Sequence, residues 1–288
     1  MSAAEPRRDF AAAWQAAAAV SPLCVGVDPH AAQLASWGLP DTAAGAREFG
    51  LRLLDACARS GAARLVKPQS AFFERFGSAG IAVLEELLAA ARGAGLVTIL
   101  DVKRGDIGST MAGYADAYMD PASPLCADAL TLSPYLGVGA LEPAFAAARA
   151  HGTGIFVLAL TSNPDGARVQ HARTPDGQAV AAEVARLVAA FDAQAGAPQA
   201  GLVVGATIGG AARELGIDLG GFPGPLLAPG YGAQGAGPAE LADVFGAAFE
   251  RGQVLVSASR SVSEAGPDPE ALERRIVGLA RAVRHDRG

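Results

Sequence analysis

Leu96-Val97-Thr98-Ile99-Leu100-Asp101-Val102-Lys103 is an apolar, β-branched run that ends in charged side chains at alternate positions. An apolar run without polar alternation suits a strand buried on both faces, as in a parallel sheet. The pattern recurs along the chain, at Leu23–Val27, Ala63–Val66, Leu96–Leu100, Ala129–Leu132, Gly154–Leu160, Gly201–Gly205, Pro225–Ala228 and Val254–Ala258. Ala/Leu/Arg-rich helical stretches separate these runs, near Ala43–Ser60, Ser78–Gly93, Ser109–Tyr118, Gly139–Ala150, Gln178–Ala195, Gly209–Leu215, Pro238–Arg251 and Pro269–Arg284. Eight strand–helix alternations predict an α/β chain forming a single-domain (β/α)8 barrel, with a doubly wound sheet as the alternative. The expected domain is 1–288, with the barrel core at about 22–284. The longest irregular stretch, Asn163–Gly177, reads as a mobile loop after the fifth strand.

In such a barrel, chemistry collects at the carboxyl ends of the strands. Those ends read Asp28, Lys67, Asp101 with Lys103, Ser133, Thr161 with Ser162, Thr207, Pro229 with Gln234, and Ser257 with Arg260. All eight are expected to converge on one mouth. Two of the 23 basic residues are lysines, Lys67 and Lys103, and both stand at these ends. Lysine is a compact charge that can give up a proton, whereas arginine stays protonated. The pattern therefore points to positions where a transferable proton or a small charge is needed.

Composition narrows the function classes. A net charge of −6 without any long basic run gives no footprint for nucleic acid or an anionic membrane surface. Cys24, Cys57 and Cys126 are odd in number and lack metal-ligand spacing, which suits buried thiols in a reducing cytoplasm. Arg7-Arg8-Asp9-Phe10 imitates a twin-arginine export signal, but Gln15 interrupts the apolar stretch behind it. An amphipathic helix capping one end of the barrel is the expectation there. No run approaches the ~20 apolar residues that span a bilayer.

Asp101-Val-Lys103-Arg-Gly-Asp106-Ile107-Gly-Ser-Thr110 packs two carboxylates and an ammonium into six residues. Period-two alternation puts Asp101 and Lys103 on one side of a strand, with Asp106 on the turn or helix start that follows. Lys67 from the neighbouring strand would complete an array of two cations and two anions, each favouring the charged form of the next. A purely structural salt-bridge network is the competing reading. A second constellation joins Leu226-Leu-Ala-Pro229-Gly-Tyr-Gly-Ala-Gln234-Gly to Val254-Leu-Val-Ser-Ala-Ser259-Arg260. Loops after strands seven and eight of a barrel often bind phosphate, and here Gln234 and Arg260 offer donors beside permissive glycines. Ordinary turn chemistry would also explain the glycines. His30 follows Asp28 closely, but a solvated or structural role suits it better than a catalytic one.

These motifs resemble the orotidine 5′-phosphate decarboxylase family, in its longer bacterial branch. The resemblance rests on Val27-Asp28-Pro29, Val66-Lys67-Pro68, Asp101-x-Lys103-x-x-Asp106 with Ile107 and Thr110, Thr161-Ser162-Asn163-Pro164, Pro229-Gly-Tyr-Gly-Ala-Gln234-Gly235 and Ser259-Arg260-Ser261. It covers roughly residues 23–262, with one departure: Ser259 stands where glycine is frequent. The resemblance implies decarboxylation of orotidine 5′-monophosphate to UMP without metal or cofactor, in a cytoplasmic homodimer with shared sites. It implies Lys103 as proton donor to C6 of the pyrimidine and Asp101 beside the leaving carboxylate. Lys67 and Asp28 would hold the ribose hydroxyls, and Ser162 the pyrimidine amide edge. Gln234 and Arg260 would bind phosphate, with Ser259 adjoining them and Pro229 at the base of the loop. Asp106 and Thr110 would reach in from the other subunit of the dimer, and Ile107 would be a further substrate-binding residue. Competing readings are a metal-dependent sugar-phosphate decarboxylase or aldolase on the same barrel, a Schiff-base aldolase using Lys67 or Lys103, and a nucleotide-binding barrel without catalysis.

Overall fold

A computed structural model describes residues 9–196, 198–232 and 235–284. Eight parallel strands close in sequence order into a barrel: β1 Leu23–Val27, β2 Leu65–Pro68, β3 Val97–Arg104, β4 Ala129–Leu132, β5 Gly154–Leu160, β6 Ala200–Val204, β7 Leu226–Pro229 and β8 Val254–Ala258. Around and between them lie α1 Phe10–Val20, α2 Ala31–Ser36, α3 Ala43–Ser60, α4 Ala71–Glu74, α5 Gly77–Gly93, α6 Gly108–Met119 and α7 Glu142–His151. The chain continues through α8 Ala167–Gln170, α9 Val180–Ala195, α10 Ala211–Glu214, α11 Pro238–Phe245, α12 Ala247–Glu250, α13 Arg260–Ser263 and α14 Pro269–Ala282. Among the described residues no helix is long and apolar enough to cross a membrane.

Two apolar cores explain the missing polar alternation in the strands. Outward-facing residues such as Val25, Val66, Leu100 and Leu130 pack under the helices with Leu53, Leu84 and Phe145. Inward-facing residues form a separate cluster that includes Cys24, Leu65, Ile99, Ala129, Phe156, Val203, Leu227 and Leu255. Both sides of each strand therefore leave water, at about 25 cal/mol per Å² of apolar surface.

The inner cluster needs a floor, and α1 supplies it. Phe10, Trp14 and Ala17 insert beneath the barrel interior. The Phe10 ring meets Phe156 edge-on at 5.9 Å. Gly154 makes this seat possible, since a Cβ there would fall 2.1 Å from the Phe10 ring. Asp9 caps the helix by accepting from the N–H of Ala12 at 3.3 Å, and Trp14 Nε1 donates to the carbonyl of Pro198 at 3.2 Å. The capping helix expected from the sequence is thus present, while Arg7 and Arg8 lie outside the described residues.

Several boundaries differ from the sequence expectation. β3 runs on to Arg104 rather than ending at Leu100, carrying Asp101 and Lys103 inside the strand. The helix expected over Pro238–Arg251 breaks into α11 and α12 at Gly246, whose φ of 49° no side-chain-bearing residue adopts easily. The expected loop Asn163–Gly177 contains a 3-10 turn at Pro164–Gly166 and α8, and Arg173 forms an isolated bridge with Ala179. The short helices α2 and α4 follow β1 and β2 too briefly to leave a periodic signal.

Candidate active site

A cavity of about 520 Å³ opens at the carboxyl end of the barrel, and every strand or its following loop contributes to its wall. Asp28, Lys67, Asp101, Lys103, Pro229, Ser259 and Arg260 line it. Ser133 and Thr207, expected at the mouth, do not; β4 contributes Thr131 and β6 contributes Val203. Strand geometry explains the correction on β4. Alternation would put Ser133 on the inward side with Thr131, but β4 ends at Leu132 and Ser133 already belongs to the turn that follows, leaving Thr131 as the polar side chain of β4 in the wall.

Asp101 is the centre of the arrangement. Its Oδ2 accepts from Lys67 Nζ at 2.9 Å and from Gln69 Nε2 at 2.8 Å. Its Oδ1 accepts from Lys103 Nζ at 2.6 Å and from the Thr131 hydroxyl at 2.8 Å. Burial alone would push the Asp101 carboxyl up, but the charges of Lys67 and Lys103, with their hydrogen bonds, hold it well below the usual carboxylate range. Burial likewise disfavours the Lys67 ammonium, yet Asp101 and Asp28 lift it above the ordinary lysine value. Asp28 Oδ1 is buried without a hydrogen-bond partner among the described residues. A buried carboxylate oxygen in a cavity wall without a partner is a ready acceptor for a ligand hydroxyl.

Lys103 reaches Asp101 through an unusual backbone. Its φ of 45° makes it the one positive-φ residue other than glycine among the described residues. Such a conformation costs on the order of 1–3 kcal/mol and persists only where surrounding contacts impose it. The β3–β4 register shows the cause. Leu100 pairs with Leu130 and Arg104 pairs with Leu132, so Asp101, Val102 and Lys103 stand against Thr131 alone. The strand bulges here, and Lys103 at the bulge lines the cavity.

Three of the four charges expected from the sequence therefore meet within one chain. Asp106 does not join them: it stands before α6, where its Oδ1 accepts from the N–H of Ile107 at 2.8 Å. Ile107 and Thr110 are exposed, and neither lines the cavity. Ser162 is exposed beside Thr161, which does line it. The absence of a side chain at Gly205 lets the Ser162 backbone approach, since a Cβ there would lie 3.1 Å from its nitrogen.

The opposite end of the cavity is glycine-rich and cationic. Pro229, Gly230 and Tyr231 line it together with Ser259 and Arg260. The loop folds back on itself through a Tyr231–Ala236 bridge and a 2.9 Å bond from Gly232 N–H to the carbonyl of Ala236. Gln234 lies outside the described residues. Ser259 packs over Gly26, where any Cβ would sit 1.9 Å from its hydroxyl oxygen. Arg260 is exposed, and its guanidinium has no hydrogen-bond or ion-pair partner among the described residues.

Sequence reasoning missed Gln69 and Thr131, although alternation offered a signal for both. Gln69 is two residues beyond Lys67, and Thr131 is the polar residue in an otherwise apolar strand. His30, given a bland reading from the sequence, lines the cavity and packs against Phe72 at 5.8 Å between ring centres.

Comparison with known proteins agrees with this geometry. The sequence model of the orotidine 5′-phosphate decarboxylase / HUMPS family matches residues 21–275. The chain is 55% identical to an orotidine 5′-phosphate decarboxylase of Salinispora arenicola, over 93% of this chain and 95% of that one. It is 53% identical to that of Streptomyces coelicolor, over 91% and 92%. A crystal structure from Streptomyces avermitilis, described as an orotidine 5′-phosphate decarboxylase, superposes with a TM-score of 0.90 at 50% identity, covering 96% of this chain and 95% of that one. With a barrel of the same closure and a family match that spans it, the chain belongs to the orotidine 5′-phosphate decarboxylase / HUMPS family.

Proposed function

We propose that Lys67, Asp101 and Lys103 carry the decarboxylation of orotidine 5′-monophosphate to UMP and CO2, with Lys103 as the proton donor. The observation that carries the assignment of roles is the sharing of one buried carboxylate, Asp101, between two ammonium groups. The C6–carboxylate bond breaks and its electron pair stays on C6, in an in-plane orbital that the ring does not delocalise. The Lys103 ammonium stabilises that charge and then transfers a proton from Nζ to C6, leaving a neutral amine for solvent to reprotonate. Fixed charge in a pocket walled by Leu158, Val203 and Leu227 acts more strongly than the same charge in water. Enzymes lower barriers by ~8–23 kcal/mol, and a carbanion formed without an electron sink needs the upper part of that range.

The remaining contacts follow from the two ends of the cavity. Phosphate fits beside Arg260, Ser259 and the loop that starts at Pro229, and Gln234 on that loop is a further donor. Asp28, with its unpaired oxygen, and Lys67 suit the ribose hydroxyls. Ser162 suits the amide edge of the pyrimidine. Asp106, Ile107 and Thr110 suit the site of a second subunit, because none of them lines the cavity of its own chain, and Asp106 is half-buried while Ile107 and Thr110 stand exposed. Exposed Ile107, Tyr135 and Leu136, on segments after β3 and β4, give that contact an apolar component. Cys24, Cys57 and Cys126 are buried thiols, which supports a cytoplasmic setting.

The test is an absorbance assay for loss of orotidine 5′-monophosphate with and without EDTA. Turnover that persists in EDTA and vanishes in Lys103→Ala is the expected result. Turnover abolished by EDTA supports the metal-dependent reading, and an adduct trapped by borohydride with substrate supports a Schiff base.

A further inference from the structure

We propose that Thr131 is a positioning residue for the reaction, fixing the Lys103 ammonium by holding the lysine's backbone and its carboxylate partner through one hydroxyl. The proposal rests on the reading of Lys103 as proton donor.

A hydroxyl has one hydrogen to give and lone pairs to receive. Thr131 gives its hydrogen to Asp101 Oδ1 at 2.8 Å, and its Oγ1 receives the N–H of Lys103 at 3.0 Å. Lys103 Nζ sits on that same Oδ1 at 2.6 Å. The three residues therefore form a closed ring of contacts, with Thr131 fastening both ends of the lysine. The bulge makes the brace necessary. Three residues of β3 stand against Thr131, so the Lys103 N–H bonds to a side-chain oxygen where a regular ladder would supply a carbonyl.

Among the described residues, Thr131 is the one side chain that bonds both the Lys103 N–H and Asp101 Oδ1. Thr131 is 1% exposed, so water does not replace it freely. The Lys103 side chain is 44% exposed, so its surroundings restrain it little between the two anchored ends. The other residues of β4, Ala129, Leu130 and Leu132, are apolar, and valine would fill the volume of Thr131 equally well. A purely space-filling role would therefore not require an oxygen. Misplacing a reacting group by about 1 Å can cost on the order of 10²-fold in rate, so losing the brace acts on turnover.

The experiment compares parent protein with Thr131→Val and Thr131→Ser, measuring kcat and KM for orotidine 5′-monophosphate and UMP affinity by calorimetry. Thr131→Val is expected to lower kcat by at least about tenfold, with KM and UMP affinity within about threefold of parent. Thr131→Ser, which keeps the oxygen, is expected to hold kcat within about threefold. A Thr131→Val kcat near that of parent, a loss carried by KM, or a serine variant as slow as the valine one overturns the brace. If circular dichroism shows Thr131→Val unfolded, Thr131→Ala takes its place in the comparison. Parent protein that does not consume substrate, or a fully active Lys103→Ala, refutes the donor reading itself, before the Thr131 variants are compared.

Discussion

Lys103 Nζ lies 2.6 Å from Asp101 Oδ1, so the group proposed to donate the proton is held by the carboxylate proposed to face the substrate's own carboxylate. In the proposed arrangement, the same ion pair that orders the ammonium sets a negative charge beside the departing CO2. Replacing Lys103 by alanine would remove the proposed general acid, worth about 10²-fold or more, and a fixed charge worth about as much again. Turnover in Lys103→Ala is expected to fall at least about 10⁴-fold, with UMP affinity kept within about tenfold because the proposed phosphate and ribose contacts do not involve Lys103. Stopped assays for product and calorimetry with UMP check the two halves separately.

Asp192, on α9 and 4% exposed, predicts a pH dependence of stability unrelated to catalysis. Its Oδ1 accepts from the N–H groups of Gln199 at 3.1 Å and Ala200 at 2.8 Å, tying the helix to the start of β6. Its Oδ2 is buried without a partner among the described residues. Burial pushes the carboxyl up from 3.8 to about 7, against the pull of the two N–H groups. A raised carboxyl binds its proton more tightly in the folded state, so stability declines as pH rises from the unfolded value towards the folded one. The urea midpoint of the parent is expected to fall between pH 4 and pH 7 more steeply than that of Asp192→Asn. Equal slopes for the two proteins would remove Asp192 as the cause.

Much of this was legible in the sequence, and particular residues show where legibility stopped. The strand of Gly154–Leu160 and the helix of Ala43–Ser60 were readable to the residue, because burial and periodicity act locally. Asp101, Lys103 and Lys67 were readable because each ends an apolar run. The bulge opposite Thr131 was not, since register depends on two strands about 30 residues apart and leaves no mark in either alone. The φ of Lys103 was invisible for the same reason. Asp106 was placed correctly after the strand, but sequence distance alone did not show that its carboxylate turns to Ile107 rather than to Lys67 or Lys103.

The α1 floor gives a packing prediction. Phe10 is fully buried against Phe156, and truncating such a ring to alanine typically costs about 3–5 kcal/mol. Gly154→Ala would add a methyl into the space of the Phe10 ring, so it too is expected to destabilise. In the Phe10→Ala background that space is empty, and the same methyl is expected to cost less or to stabilise. Denaturant melts of the four proteins form a double-mutant cycle, and additivity within about 0.5 kcal/mol would show that the two sites are not coupled.

Asp106 supplies the test of a shared site. Its carboxylate stands outside the cavity of its own chain, while Lys103 lines it, so in a dimer with exchanged segments the two residues of one chain serve different sites. Asp106→Ala and Lys103→Ala proteins are each expected to be nearly inactive. Mixing them, under conditions where subunits exchange, creates heterodimers in which one site carries both defects and the other carries neither. Random exchange of equal amounts makes about half of the dimers mixed, and each such dimer has one intact site. Recovery should therefore approach about a quarter of the parent activity per site. Tagged subunits that demonstrably exchange without any recovery would show that Asp106 acts within its own chain or not at all.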